Sequence, residues 1–229
     1  MGKKDVGVSQ EQLTRQICEI GCRMYDKGFV AGNDGNISCR LDEGRYLCTP
    51  ADVSKGFMEP ADIAVVDDEG NQLTGRLEPT SEVPLHLRIY HELPRINAVA
   101  HAHPPHATAF AVAGISPPVG VMPEAEIYLG PIPLADYGTP GGPELADTIL
   151  PHLRNKAGTI LLANHGAVAC GKDLMQAYWR LERLEMYCRI LILSKQLGSV
   201  RPLPEAKVRQ LLQYKKNRYG MDEDDPRMD

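Results

Sequence analysis

The chain has 229 residues, a formal net charge of −5 and six cysteines, and this composition already excludes several classes of protein. The length suits one domain with a sizeable core, and the acidic balance offers no basic stripe for nucleic acid. No apolar run approaches the length of a transmembrane helix, and the first residues lack the apolar stretch of a signal peptide. Because the cysteines are scattered without paired spacing, we predict a reduced, cytoplasmic protein that contacts neither nucleic acid nor membrane.

The predicted elements begin with a helix and a polar turn. Ser9 and Gln12 form a capping-box pattern ahead of apolar residues at helical spacing, and Gly28 can end this helix. The segment 32–40 is a glycine- and asparagine-rich turn that leads into a strand. Taken alone, it is most simply a surface turn, although its backbone N–H groups and the Asn36 amide could also bind an anion.

Two strands, at 46–49 and 63–66, precede a second predicted helix, which opens with two hydroxyl residues. Thr80 and Ser81 occupy positions where helix caps belong, which is their simplest explanation, but hydroxyls at a helix N-terminus also suit a phosphate. Glu82 is expected in the first turn, where a carboxylate is favourable on helix-dipole grounds alone.

The most informative stretch is a strand that ends in closely spaced histidines. The apolar run 96–100 predicts a buried strand, and side chains two apart on a strand share a face, so His101 and His103 point the same way. On its own this pair is as compatible with packed imidazoles as with a metal site. A second apolar run, 159–162, leads into a turn carrying His165, and two such strand ends together favour a site for a divalent metal.

The rest of the chain adds further helices and strands. Helices are expected at 107–113, 143–153 and 204–218, a long helix after the capping residue Asp173, a strand at 167–170, and short, proline-broken strands at 122–136. The elements interleave without a βαβ rhythm, which predicts one mixed sheet covered by helices in an α/β fold. The last residues, 221–229, form an acidic tail that is expected to fray.

A series of short motifs extends along nearly the whole chain: Gly35-Asn36-Ile37-Ser38-Cys39-Arg40, Thr80-Ser81-Glu82, His101-Ala102-His103, Tyr137-Gly138-Thr139, Asn164-His165-Gly166 and Tyr219-Gly220. Together they resemble the class II aldolase/adducin family, and within it the sugar-phosphate aldolases of the L-fuculose-phosphate type. The resemblance implies a single domain, residues 1–220, whose mixed, largely antiparallel sheet is flanked by helices on both faces, followed by a flexible tail at 221–229. It also implies a homotetramer with active sites at the subunit interfaces.

Carried over position by position, the resemblance implies a role for each candidate residue. One zinc ion per subunit, or another divalent ion such as Mn²⁺ or Co²⁺, would be held by His101, His103 and His165. The phosphate of a sugar phosphate would be bound by Asn36, Thr80 and Ser81. The proton carriers would be Glu82, acting as acid and base beside the substrate carbonyl, and Tyr137, reaching in from a neighbouring subunit as proton donor on the leaving side.

The chain departs from the family pattern after Thr49-Pro50. Many relatives have a small hydroxyl residue and a glycine there, both touching phosphate, whereas this chain has Ala51-Asp52. Because an aspartate facing a phosphate would repel it, we expect the Asp52 side chain to turn away.

The imidazoles of a metal triad also need partners for their second nitrogens, and Asn164 is a candidate from its place in the sequence. His86 lies one turn after Glu82 and is interpreted as a packed residue in preference to a partner of the site. His106 follows two prolines and is expected to point off the axis of the histidine strand.

The function implied by the resemblance is zinc-dependent retro-aldol cleavage of a ketose 1-phosphate to dihydroxyacetone phosphate and a small aldehyde. Glu82 would be the base, and the metal would stabilise the enediolate. An L-ribulose-5-phosphate 4-epimerase with the same triad is an alternative, but such epimerases have aspartate at the Glu82 position, and the 3-oxo-tetronate-phosphate decarboxylases usually have lysine. A non-catalytic, adducin-like scaffold is a second alternative, although that branch has no need of metal ligands.

Overall fold

The computed structural model of the protein describes residues 8–219 together with Arg227. Gly220 of the last motif and the rest of the acidic tail predicted at 221–229 lie outside the described residues. The division of the chain at residue 220 therefore stays a prediction.

The centre of the fold is a single sheet of eight strands. The strands are β1 (Asn36–Asp42), β2 (Arg45–Cys48), β3 (Ala64–Asp67), β4 (Gln72–Thr74), β5 (Ala98–Ala102), β6 (Leu134–Ala135), β7 (Thr159–Leu162) and β8 (Gly166–Gly171). Their spatial order is β4-β3-β2-β1-β5-β8-β7-β6. All neighbouring pairs are antiparallel except β6 and β7, which confirms the predicted mixed, largely antiparallel sheet.

Helices cover both faces of this sheet, as predicted. They are α1 (Gln10–Asp26), α2 (Val83–Glu92), α3 (Pro105–Val112), α4 (Pro123–Tyr128), α5 (Pro143–Arg154), α6 (Leu174–Leu197) and α7 (Glu205–Tyr219). Side chains of α1, α3, α4 and α6 form one buried apolar cluster with the sheet, and those of α2 and α5 form a second cluster. Successive residues of β5 alternate between these clusters, because side chains of a strand point to opposite faces.

The sequence signals for helix starts are borne out in the structure. Ser9 and Gln12 form the reciprocal capping box of α1, and the Asp173 side chain accepts a hydrogen bond of 2.7 Å from the Gln176 backbone N–H at the start of α6. Such caps typically stabilise a helix by about 1 kcal/mol. Among the helices of residues 8–219, none is long and apolar enough to cross a membrane.

Two local predictions need correction. The segment 122–136 was expected to form short strands, and β6 is one, but α4 occupies 123–128, because a proline at its start and two glutamates in its first turn favour a helix N-terminus. Helix α2 begins at Val83, so Glu82 is its N-cap residue and lies just before the first turn. Pro84 fits this later start, since the first turn of a helix needs no N–H donor from it.

Candidate metal centre and catalytic cleft

Three imidazoles meet at one edge of the sheet, where β5 ends beside the turn between β7 and β8. His101 lies in β5, His103 follows that strand, and His165 lies in the turn. The centroids of the rings are 4.6, 4.9 and 5.1 Å apart, and one possible ligand atom from each residue lies within 4.8 Å of the others. The predicted triad is therefore brought together by the antiparallel pairing of β5 with β8.

Two glycines allow the loops to approach the histidine strand this closely. A Cβ atom on Gly166 would lie 2.6 Å from the Ala102 carbonyl oxygen and from a ring carbon of His103. A Cβ atom on Gly35 would lie 2.8 Å from the His101 carbonyl oxygen, and its φ of +70° is itself a conformation that favours glycine. Both turns can close onto the site only because these side chains are absent.

One hydrogen bond fixes the proton of His101 on the side away from the other rings. His101 Nδ1 donates to the Ala167 carbonyl oxygen at 3.0 Å, which leaves Nε2 without a proton in the neutral ring. His103 Nδ1 is 3.5 Å from an oxygen of Asp34, and the two Nε2 atoms are 3.2 Å apart. Burial lowers the pKa of His101 to about 4, so this ring is neutral at neutral pH.

This donor set fits a divalent metal ion. Zinc held tetrahedrally, with Zn–N bonds of about 2.0–2.1 Å, separates its ligand nitrogens by about 3.3–3.4 Å. The 3.2 Å between the Nε2 atoms of His101 and His103 is close to that separation. His165 Nδ1 is buried and has no hydrogen-bond partner within the described residues. Neutral imidazoles are ligands preferred by zinc and similar ions.

Glu82 places a carboxylate beside the triad. Its side chain is 7% exposed, and Oε2 lies 3.7 Å from His101 Nε2. The same oxygen accepts a 2.8 Å hydrogen bond from the Asn36 side-chain amide. Burial alone raises the pKa of the Glu82 carboxyl, but the neighbouring imidazoles, His101 foremost, and the Asn36 amide outweigh it and hold the pKa below its usual value. At neutral pH the site therefore presents an ionised carboxylate that can accept a proton.

The position of Glu82 at the N-cap leaves its carboxylate available to this site. The cap makes no side-chain hydrogen bond to the helix backbone, in contrast to the cap at Ser9. Asn36, which holds the carboxylate, pairs with His101 in the register of β1 and β5. Glu82, Asn36 and His101 are therefore positioned by neighbouring rigid elements.

These groups line a cleft of about 190 Å³, in which all predicted site residues except Tyr137 take part. The cleft-lining residues predicted from the sequence are Asn36, Thr80, Ser81, Glu82, His101, His103 and His165. Tyr137 is 60% exposed and does not line the cleft of its own chain.

The segment predicted to bind phosphate is tied to the loop after β2. Thr80 donates its backbone N–H to the Thr49 carbonyl oxygen at 3.0 Å. Asp52 has a φ of +54°, a conformation that suits glycine. Its side chain accepts a 3.1 Å hydrogen bond from the amide of Asn33. The Asp52 carboxylate is thus bonded to Asn33, but Asp52 is itself one of the residues that line the cleft, so its expected turning away from the cleft is not borne out.

Sequence reasoning missed two charged residues of this cleft, Asp34 and Lys55. Asp34 belongs to the glycine-rich turn, so the anion-binding interpretation of that turn was the signal for it. Lys55 lies in an irregular segment with no periodicity, and nothing in the pattern singles it out. The partner predicted for the triad was also wrong: Asn164 offers only its backbone N–H, to Ala111, while the Ala167 carbonyl holds His101.

The likeness to known proteins extends over most of the chain. The family model described as Class II Aldolase and Adducin N-terminal domain matches residues 15–192. An L-fuculose phosphate aldolase of Methanococcus maripaludis is 37% identical over 183 residues, which are 80% of this chain and 96% of that protein. A 3-oxo-tetronate 4-phosphate decarboxylase of Cupriavidus necator is 34% identical over 191 residues, 82% of this chain and 87% of that protein. A solved L-fuculose 1-phosphate aldolase superposes with a TM-score of 0.81 at 27% identity, covering 89% of this chain and 96% of its own.

Proposed function

Since the chain belongs to the class II aldolase and adducin family, we propose that it cleaves a ketose 1-phosphate to dihydroxyacetone phosphate and a small aldehyde. The family and the fold expected from the motifs are confirmed by the match over residues 15–192 and by the superposition at a TM-score of 0.81. The reaction, the ion and the roles of individual residues go beyond that match and are proposals. We take the ion to be Zn²⁺, one per subunit, with Mn²⁺ or Co²⁺ as alternatives.

The observation that carries this proposal is the position of the Glu82 carboxylate. This group is buried, and its Oε2 lies 3.7 Å from Nε2 of His101. Cleavage beside a carbonyl leaves an electron pair that must be stabilised as an enediolate. A divalent ion held by three neutral imidazoles would supply the positive charge for that purpose. Glu82 is close enough to this position to exchange a proton with the carbon beside the carbonyl.

The remaining residues of the cleft then have distinct tasks. Asn36 fixes Oε2 of Glu82 by its 2.8 Å hydrogen bond, which orients the base. In synthesis, Glu82 removes a proton from the carbon that forms the new bond; in cleavage, it returns the proton to that carbon. The phosphate would be bound by Asn36, Thr80 and Ser81.

The aldehyde side of the cleft requires a proton carrier, which we take to be Tyr137 of a neighbouring subunit. Tyr137 is 60% exposed and outside the cleft, which supports its placement in the active site of a neighbouring subunit. Several large apolar side chains are also exposed, and subunit contacts would cover them; they are Val112, Ile115, Val119, Trp179, Leu193 and Leu197. We therefore propose a homotetramer with its active sites at the subunit interfaces, acting in the cytoplasm.

The test combines metal analysis with a substrate screen. Purified protein is analysed for bound metal by plasma mass spectrometry, and ketose 1-phosphates are screened for release of dihydroxyacetone phosphate with a coupled dehydrogenase. About one ion per chain together with release from at least one substrate is expected. Epimerisation of L-ribulose 5-phosphate without any cleavage would replace this proposal by the epimerase alternative, and protein without metal or activity would favour the scaffold.

Decarboxylation is a second candidate, favoured by the 34% identity to a 3-oxo-tetronate 4-phosphate decarboxylase. Loss of carbon dioxide from such a four-carbon keto acid breaks a bond beside a carbonyl and leaves the same three-carbon keto phosphate. The two reactions differ in the leaving group, since carbon dioxide departs without surrendering a hydroxyl proton. Glu82, where that branch usually has lysine, favours the aldolase. Release of carbon dioxide from 3-oxo-tetronate 4-phosphate, faster than any ketose cleavage, would decide for the decarboxylase.

A further inference from the structure

A buried cation lies in the wall of the same cleft. Lys55 is 1% exposed, yet it is one of the residues that line the cleft together with the triad and Glu82. Its ammonium donates hydrogen bonds to the carbonyl oxygens of Asn33 at 2.9 Å and Val53 at 2.6 Å. This side chain therefore holds the glycine-rich turn and the loop after β2 together beside the cleft.

The hydrogen bonds of Lys55 leave part of its charge unmatched. An ammonium has three N–H donors, and two of them are used by these carbonyls. In the part of the chain that the structure describes, no carboxylate oxygen lies within 4.0 Å of the Lys55 ammonium, which is the limit for an ion pair. Asp34 and Asp52 act on it only from a longer range, where they oppose the effect of burial, and the pKa of Lys55 is lowered to about 8. A buried charge of this kind is costly unless an anion accompanies it.

Carboxylates surround the same cleft. Asp34, Asp52 and Glu82 are among its lining residues, and one oxygen of Asp52 accepts a 3.1 Å hydrogen bond from Asn33. An anionic group that enters the cleft therefore meets like charges and needs a cation beside it. Lys55 is the one lysine or arginine among the lining residues.

We propose that Lys55 binds the phosphate group of the substrate through its positive charge and its third N–H donor. This inference rests on the proposed function, because it assigns a phosphorylated substrate to the same cleft. It makes Lys55 a residue that determines the specificity for a phosphorylated substrate.

The experiment measures binding of inorganic phosphate to the metal-loaded protein by isothermal titration calorimetry at low ionic strength. Lys55→Met is expected to weaken phosphate binding by about 10- to 100-fold, the range for loss of a hydrogen bond between charged groups. Asp52→Asn is expected to strengthen it by about 2- to 5-fold, since an exposed negative charge is removed. Lys207→Met, which removes the same charge from an exposed position on α7, is the matched control and should leave binding unchanged.

Lys55→Met and Asp52→Asn are expected to change phosphate affinity in opposite directions, which distinguishes an effect of charge from a general effect of disturbed folding. Lys55→Met also removes two hydrogen bonds to backbone carbonyls, so metal content and thermal unfolding are measured for each variant. If Lys55→Met does not fold, Lys55→Gln takes its place, because its amide can still donate to one of the two carbonyl oxygens but carries no charge, and it should weaken phosphate binding by a similar factor. Phosphate affinity that is unchanged in a folded Lys55→Met protein, or in Asp52→Asn, overturns the proposal.

Titration with a carboxylate tests whether the cleft prefers phosphate to other anions. Acetate is titrated in parallel; if Lys55→Met weakens acetate as much as phosphate, the cleft is a general anion site and the assignment to phosphate is wrong. Because these titrations need no turnover, they answer the question even if the protein cleaves no ketose 1-phosphate. The proposed function fails separately, through absent metal or absent cleavage in the wild-type protein.

Discussion

Two histidine–carboxylate pairs lie close together in this fold and differ in what their carboxylates already bind. At the triad, Glu82 accepts one hydrogen bond, from Asn36, and lies 3.7 Å from His101. The other histidine, His106, follows His101 closely along the chain, and its Nδ1 donates a 2.6 Å hydrogen bond to Glu185 of α6. The pair with the shorter distance, His106 and Glu185, is not among the residues that line the cleft.

The difference lies in the backbone donors that each carboxylate satisfies. Glu185 also accepts the backbone N–H groups of His106 and Ala107, each at about 3.0 Å, and so caps the start of α3 from another helix. Pro104, the N-cap residue of α3, makes no side-chain cap of its own. Glu185 is therefore saturated by donors at the start of α3, whereas Glu82 keeps unused acceptor capacity. The proposed role of Glu82 as base rests on this unused capacity and not on the distance to a histidine, which is shorter in the other pair.

The largest effect that can test this comparison is loss of the metal. His165→Ala removes one of three imidazoles, and two imidazoles hold zinc poorly, so bound metal and nearly all activity should be lost. His106→Ala is the matched control, because it removes an imidazole whose partner is the saturated carboxylate, and it should retain about one ion per chain. Metal content by plasma mass spectrometry checks both variants, and full occupancy in His165→Ala would remove this residue from the triad.

The next largest effect concerns the base. Glu82→Gln keeps the shape of the side chain but cannot accept a proton, so turnover should fall by about 10²- to 10⁴-fold while metal content is retained. Exchange of the dihydroxyacetone phosphate hydrogen with solvent should fall in parallel, since it uses the same proton transfer without an aldehyde. Glu185→Gln serves as control and should keep its turnover. Normal hydrogen exchange in Glu82→Gln would mean that another group is the base.

The positions of the three histidines of the triad could be predicted from the sequence, because they follow from local rules. Alternation along a strand places His101 and His103 on one side, and an apolar run that ends in a turn places His165 at a strand end. The family motifs then indicate that the strand ends are neighbours, which the pairing of β5 with β8 bears out.

The hydrogen-bond partners of the two carboxylates could not be predicted in the same way, because they depend on contacts between distant parts of the chain. The bond from Asn36 to Glu82 joins residues 46 positions apart, and that from His106 to Glu185 joins residues 79 positions apart. Neither has a local pattern. Lys55 was missed for a related reason, since its partners are backbone carbonyls, which no side-chain motif reveals.

A smaller effect is expected on stability when the structural pair is broken. Glu185→Ala leaves the N–H groups of His106 and Ala107 without an acceptor at the start of α3. The free energy of unfolding should fall by about 1–3 kcal/mol, the usual cost of leaving buried donors unsatisfied. Chemical denaturation measures this loss, and the turnover of the metal-loaded protein at low temperature should stay near the wild-type value. A large loss of turnover with unchanged stability would reverse the roles assigned to the two carboxylates.

The effect that is smallest at neutral pH, and that grows only as the pH falls, comes from His86, which is fully buried on α2. Its Nδ1 is 2.6 Å from the Ser38 hydroxyl. Burial lowers its pKa from 6.5 to about 4, with Glu82 acting in the opposite direction and His101 in the same one. Between these values the unfolded chain binds a proton that the folded protein does not, so stability rises with pH over this window and is lost as the pH falls.

His86 should therefore contribute a loss of roughly 2–3 kcal/mol in the free energy of unfolding between pH 6.5 and pH 4, given about 1.4 kcal/mol for each unit of pKa shift. Denaturant titrations at several pH values measure this slope in the wild-type protein and in His86→Gln, which keeps a polar side chain beside Ser38 but cannot titrate. The slope should be shallower in the variant, with the remaining part contributed by other groups whose pKa is lowered, among them His101 and His165. Equal slopes in His86→Gln and the wild-type protein would show that His86 takes up its proton in the folded state, and that burial does not govern its titration.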